Sequence, residues 1–294
     1  MTDFGTPAHS YTEKSWPPMR DLVGDFLAQT KRTDVMYGMS EADIGPALDR
    51  IQHYKAQLNG NVSFTAFLVY CLARAVDQHK IMHAYRRGRK LVMFDDVDVN
   101  TLLEKKKPDG SLVPVAYTVR AANQKSLAQI NHEMHKASST SLRDDAGVQR
   151  RAQLLQLPKP VRRLLGWWVR REPTRLKQHW GTVGLSNVGM FLPQRPMWGI
   201  APPFHTTAVI VGGMYERVCW GADGPEPRTK LCMTLTNNHA IVDGAPAARF
   251  AVTLGDYIES ASGLDDAFAA ESAQLMGITF EPENADHLPV SEAI

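Results

Sequence analysis

Two side chains four positions apart, His239 and Asp243 in the stretch Asn237–Phe250 (NNHAIVDGAPAARF), are placed for proton chemistry. They follow the apolar run LCMTLT, which reads as a strand, and precede an alanine-rich run that reads as a helix. A histidine fixed at a strand end can project its imidazole into a cleft. Its ordinary pKa of about 6.5 suits it to take and return a proton near neutrality. Asp243 could hold the turn by hydrogen bonding or pair with an arginine, and Gly244 could supply a backbone conformation that residues with a Cβ avoid. The same residues read equally well without chemistry, with His239 a satisfied polar residue and Asp243 the N-cap of the next helix.

The elements around this motif are mixed. Pro17 and Pro18 precede Met19–Lys31, where Met19, Leu22, Val23, Phe26 and Leu27 fall at helical spacing. A short strand and a helix closing at Gly60 come next. Ser63–Ala75 (SFTAFLVYCLARA) is apolar nearly all round, which predicts a buried helix with Ser63 as its N-cap. Lys90–Val119 alternates on either side of a Lys-Lys-Lys-Pro-Asp-Gly turn, a hairpin pattern, and KSLAQINHEMHKAS returns to helical spacing. Gly181–Leu192, Thr206–Trp220 and Arg228–Asn238 read as strands and Gly244–Ala261 as a closing helix. Strict βαβ alternation is absent, so one α/β domain with a mixed or antiparallel sheet is expected.

Composition narrows the function classes. The chain has 294 residues, 44% of them hydrophobic, and a formal net charge of +2, too small to argue for a nucleic-acid partner. Cys71, Cys219 and Cys232 form no CxxC pair and sit in apolar or aromatic surroundings, as expected of buried thiols in a reducing compartment. The first residues show no secretory pattern and no run approaches a membrane span, so a soluble cytoplasmic protein is expected.

Two segments look like additions. Arg150–Lys177 carries nine Lys/Arg against Glu172 alone, a local balance of 9 − 1 = +8 that leaves about −6 for the rest of the chain. Within it Val161, Leu164, Leu165, Trp168 and Val169 form an apolar stripe, flanked by Arg162, Arg163, Arg170 and Arg171. The favoured reading is a surface helix whose stripe packs on the core and whose arginines are solvated or meet the acidic tail. Docking of a negatively charged partner comes next, and a membrane surface is not favoured. The tail from Leu264 has seven acidic residues and no Lys or Arg, and reads as a partly ordered appendage.

Taken with three further motifs, NHAIVDGAPAARF resembles the His-x-x-x-Asp-Gly-Ala block of the dihydrolipoyl acyltransferase catalytic cores of 2-oxoacid dehydrogenase complexes, and that of the related chloramphenicol acetyltransferases. GTVGLSNVGMF is similar to that family's strand with a Ser-Asn-x-Gly turn. DDVDVNTLLEKKKPDGSLVPV is similar to its hairpin, and MRDLVGDFLAQTK to its opening helix. The resemblance runs from about Met19 to Ser262. It implies a two-layer sandwich, a mixed sheet with helices packed on one face. It divides the chain into a lead of residues 1–18, a catalytic domain of 19–263 with a basic insertion at 146–179, and an acidic tail of 264–294.

The resemblance also implies roles. His239 would be the base that takes the thiol proton of coenzyme A or dihydrolipoamide, and Ser186 would donate a hydrogen bond to the oxyanion, worth on the order of 3 kcal/mol. Asn187 would support the Ser186 turn. Asp243 would orient the site through an arginine, with Arg20 the first candidate and Arg32 and Arg249 also available. The family site lies between subunits of a trimer, so a homotrimer or an assembly of trimers is implied, with acyl-CoA or a separate lipoyl or acyl carrier as partner. No metal is implied. Two departures stand out: Ala240 follows the histidine where the acyltransferase cores carry Arg, and no lipoyl-bearing segment occurs in these residues, so no covalent lipoyl group is expected. A non-catalytic scaffold built on the same core is the alternative, although it would have no need of both His239 and Ser186.

Overall fold

The computed structural model describes residues 11–30, 33–58, 62–107, 109–192, 194–202 and 204–275. Its frame is a six-stranded sheet in the order β1-β8-β7-β6-β4-β5. The strands are β1 (Val35–Asp43), β4 (Val99–Lys106), β5 (Leu112–Val119), β6 (Val183–Asn187), β7 (Thr207–Gly221) and β8 (Gly224–Asn238). β2 (Tyr85–Arg87) and β3 (Lys90–Val92) form a separate pair, and β3 takes up the first residues of the stretch Lys90–Val119 that reads as a hairpin. The large sheet is mixed. β6 runs parallel to both β4 and β7, while the β1/β8, β8/β7 and β4/β5 pairs are antiparallel. The five residues of β6 thus join the β4–β5 hairpin to the three-stranded remainder.

Helices cover one face, as expected. They are α2 (Gly45–Leu58), α3 (Phe64–Gln78), α4 (Leu127–Ser139), α8 (Gly244–Glu259) and α9 (Leu264–Leu275). α3 is apolar all round because it lies in the middle of this layer, with Phe67 and Leu72 fully buried. Removing such a side chain from water contributes about 2 kcal/mol. Ser63 stands at its N-cap position without a capping side-chain bond. α4 has a complete capping box between Ser126 and Gln129.

Strand alternation assigns the opposite face. Val183 and Leu185 of β6, Val99 and Leu103 of β4, and Leu231, Met233 and Leu235 of β8 all enter the helix-side core. Ser186, Leu102 and Thr234 therefore point the other way. So do Tyr37 and Met39 of β1, which pair with Thr236 and Thr234 and are exposed.

Three helices connect β5 to β6 in addition to α4. α5 (Ala146–Leu155) is capped by Asp145, whose carboxylate accepts from the amides of Gly147 and Val148 and pairs with the buried Lys105 ammonium at 2.5 Å. α6 (Lys159–Arg170) and α7 (Pro173–Trp180) follow, with Pro173 opening α7. Their return to the sheet is tied down at Asp98. Arg120 pairs with its carboxylate at 2.9 Å and also donates to the carbonyls of Lys177 and Gln178.

Two expectations fail here. The apolar stripe of α6 does not pack on the core. The helix instead turns its arginines toward α1 (Met19–Thr30), where Asp25 receives Arg162 at 2.8 Å and Arg163 at 3.2 Å, and leaves the stripe open to solvent. The side that faces inward is the one whose cations find partners there, Arg162 and Arg163 on Asp25 and Arg170 on Thr33. Nor does the chain after Leu264 begin as an appendage: Leu264 and Ala267 are buried in the main core and Phe268 meets Tyr54 edge-on. Residues 276–294 of the acidic segment lie outside the described residues.

Candidate active site

β8 ends at Asn238, and the turn after it is built on that residue. Its amide donates to the Thr206 carbonyl, its side-chain oxygen accepts from the Ala240 amide at 3.1 Å, and its carbonyl accepts from the amides of Ile241 and Val242. The His239 amide donates to the Asp34 carbonyl at 2.7 Å, which fixes the histidine against the start of β1. The imidazole itself is half exposed, with Nδ1 3.7 Å from a carboxylate oxygen of Asp243.

Asp243 occupies the N-cap position of α8, but its carboxylate makes no capping bond and is turned toward His239. The reading of this residue as an ordinary side-chain cap is therefore not what the structure shows. Gly244 does not play the part expected of it either. It is the first residue of α8, has no left-handed φ, and a Cβ there would meet nothing within 4 Å. Arg20 is exposed on α1 and makes no ion pair with Asp243, whose ion pair among the described residues is with His239. Arg249 makes no ion pair with Asp243, and Arg32 lies outside the described residues.

Ser186 is half-buried near the end of β6, and its hydroxyl makes no hydrogen bond to another described residue. Asn187 supports the turn after it: its amide nitrogen donates to Thr65 Oγ1 and its oxygen accepts from the Gly189 amide, both at 3.1 Å. Ser186 and His239 do not meet within one chain. Ser186 is level with Ile210, which is level with Thr234. Asn238 lies four residues further along β8, so the histidine stands about 17 Å along the strands and about 10 Å across them from the serine.

A cavity of about 130 Å³ backs onto the histidine turn. Its wall includes Asn238 and Ile241 together with Thr33, Tyr85, Arg170 and His205. Arg170 brings the basic segment to this wall by donating to Thr33 Oγ1 at 2.9 Å and to the Gln29 carbonyl. Burial drives the His205 pKa down to about 4, assisted by Arg170 and opposed by the bond to the Trp180 carbonyl, so this ring is neutral near pH 7. Asp34 and Thr206 were not singled out from the sequence, and Arg170 was read only as one of the cations flanking the apolar stripe. The paired asparagines before His239 were the available sign that its turn is held from behind.

The model of the 2-oxoacid dehydrogenases acyltransferase (catalytic domain) family matches residues 8–147 and 155–264. The chain belongs to this family. The match breaks at 148–154, and α6 and α7 lie within the matched residues. The dihydrolipoyllysine-residue acetyltransferase component of the pyruvate dehydrogenase complex of Mycoplasma pneumoniae is 24% identical over 74% of this chain and 48% of its own length. The corresponding component of Rhizobium meliloti is 24% identical over 84% of this chain and 49% of its own. The chain thus spans about half the length of these curated relatives.

Solved acyltransferase structures share the fold. The cubic core of a pyruvate dehydrogenase multienzyme complex superposes with a TM-score of 0.63 at 17% identity, covering 88% of this chain and 95% of that one. The dihydrolipoamide acetyltransferase of Azotobacter vinelandii, studied for the roles of a serine, a histidine and an asparagine in catalysis, gives 0.63 at 16% identity over 88% and 95%. A chloramphenicol acetyltransferase gives 0.50 at 14% identity over 83% and 96%. Among the described residues no group of three or more His, Cys, Asp or Glu side chains is placed to hold a metal, and no helix is long and apolar enough to cross a membrane.

Proposed function

We propose that this acyltransferase domain moves an acyl group from a thioester to a thiol, hydroxyl or amine acceptor, with coenzyme A as the free acyl carrier and His239 as the base. Nδ1 of His239 faces Asp243, which leaves Nε2 to take the proton of the attacking group. The attacking sulfur, oxygen or nitrogen adds to the thioester carbonyl as its proton passes to the imidazole. Ser186 donates a hydrogen bond to the resulting oxyanion. When the tetrahedral intermediate collapses, the C–S bond breaks and the departing thiolate recovers the proton from the imidazolium. Asp243 favours that imidazolium by its charge and is not itself a proton carrier. In the Azotobacter relative the histidine and asparagine named for catalysis stand four positions apart, as His239 and Asp243 do here.

The observation that carries this reading furthest is the separation of Ser186 from His239. A base and an oxyanion donor about 20 Å apart cannot serve one carbonyl, so His239 of one copy must work with Ser186 of another. The open sheet face supports such an assembly, since it presents Ser186 together with the exposed Tyr37, Met39 and Leu102. A cyclic homotrimer repeats that contact three times.

The test is complementation. His239→Ala and Ser186→Ala proteins should each lose acyl transfer across a panel of acyl-CoA donors. Co-assembly at equal amounts should restore about one quarter of the wild-type activity, because random mixing leaves about one site in four with both groups intact. A His239→Ala protein with full activity would remove the catalytic reading. Single-mutant losses without complementation would remove the shared site.

A further inference from the structure

α6 is mounted inside out for a surface helix. Its cationic side is the one packed on α1, through Arg162 and Arg163 on Asp25 and Arg170 on the Gln29 carbonyl, with Arg170 also reaching Thr33. Gly166 sits at the crossing, where a Cβ would stand 2.0 Å from Gln29 Nε2. The opposite side, formed by Val161, Leu164, Leu165 and Trp168, is between 38% and 63% exposed. Val23 and Leu27, one turn apart on α1, are exposed as well.

The border of this apolar face is cationic. The Arg171 guanidinium stands 4.9 Å from the centroid of the Trp167 ring and that of Arg175 stands 3.6 Å from Trp168. These arginines lie in the segment of net charge +8, and Asp25 already occupies two of the cations there. Whatever covers the face must therefore be apolar at its centre and negative around it. A second copy docked by the same face would set two such cationic segments against each other.

We propose that this face docks on an anionic lipid bilayer. α6 lies in the plane of the headgroups, with Leu164 and Trp168 below it and Arg171 and Arg175 at the phosphates. An in-plane amphipathic helix with Trp and Leu on one side and arginines beside them gains apolar burial and charge attraction together. Indole rings and long arginine stems both suit the boundary between acyl chains and headgroups. The docking places the bilayer on the same helix that supplies Arg170 to the cavity behind His239.

The experiment is flotation of the full chain with phosphatidylcholine vesicles and with vesicles that also contain phosphatidylglycerol, read alongside tryptophan emission. Partitioning should favour the anionic vesicles by at least about tenfold, weaken with salt, and shift the emission to the blue. Leu164→Glu should remove that binding while leaving thermal unfolding and acyl transfer unchanged, because the side chain it replaces is exposed. The charge reversal Arg171→Glu with Arg175→Glu should abolish the preference for phosphatidylglycerol. No binding, or equal binding to both vesicle types, would overturn the proposal. So would vesicle binding that emerges only after deletion of residues 276–294, which would make that acidic segment the occupant. Disassembly of the oligomer by Leu164→Glu would make another copy the occupant, and would overturn it too.

Discussion

The Asp243 carboxylate points at His239 Nδ1, 3.7 Å away, and leaves the first amides of α8 without a side-chain acceptor. Capping and orienting the histidine are alternatives for one carboxylate, and here it is directed to the histidine. Asp243→Asn should lower turnover by roughly tenfold, since the imidazolium loses a neighbouring charge in a solvent-exposed setting. The midpoint of thermal unfolding should barely move. A loss of about 1 kcal/mol in stability with turnover unchanged, the signature of a lost cap, would contradict this assignment.

Stability should fall as the pH is lowered from about 6.5 to about 4. His83 and His205 are both buried, and both titrate near 4 in the folded chain. Burial is the main cause in each case, aided for His83 by Lys80 and Lys177. In the unfolded chain each ring takes its proton near 6.5. Their contribution is complete above the unfolded value and is lost on the way down to the folded one, by at most about 3 kcal/mol for each ring. Urea unfolding at intervals between pH 7 and pH 4 measures this slope. A flat profile would show that both rings are hydrated, and a slope about half as steep that one of them is.

Removing the charge of Asp25 should release α6 from α1. Asp25 is 6% exposed, and the two guanidiniums hold its carboxyl below the usual range although burial alone would raise it. Asp25→Asn leaves the largely buried Arg162 without its counter-ion, at a cost of about 3 kcal/mol. Hydrogen exchange should quicken in α1 and α6 while the central strands stay protected. The same pair weakens in acid, because a depressed carboxylate contributes above its unfolded pKa and that contribution is lost as pH drops through the folded one.

Gly181 links α7 to β6 with φ of 78° and ψ of −164°, a region reserved for glycine, and a Cβ there would stand 2.7 Å from the Asp98 carbonyl oxygen. Gly181→Ala should destabilise the chain by more than about 2 kcal/mol, since the nearby atom is backbone and cannot step aside. Equilibrium unfolding by urea measures the loss, and a stability equal to wild type would show that the α7–β6 junction can re-form.

Much of this molecule was legible in its residues because strand alternation and turn chemistry are local. The Pro-Asp-Gly hairpin, the short strand before Asn187 and the turn carrying His239 fall where those patterns put them. The side of α6 that faces inward was not legible. Periodicity shows that a helix has two sides, but which one is covered depended on partners distant in sequence, among them the Asp25 carboxylate more than 130 positions away. Arg20 failed as the partner of Asp243 for the related reason that an ion pair is set by tertiary distance. The packing of Leu264 was hidden by the acidic residues beside it, which face solvent while Leu264 and Ala267 do not.

β6 carries Ser186 and is also the seam of the sheet. Its parallel neighbours belong to two pieces, a hairpin and a three-stranded unit, that pair with each other only through its five residues. It follows β5 only after more than sixty residues of largely helical connection. Long-range closure of this kind comes slowly and late. A chain that has not yet zipped β6 into place therefore has neither a continuous sheet nor its oxyanion donor in position, so closing the sheet is what delivers the serine half of the proposed shared site.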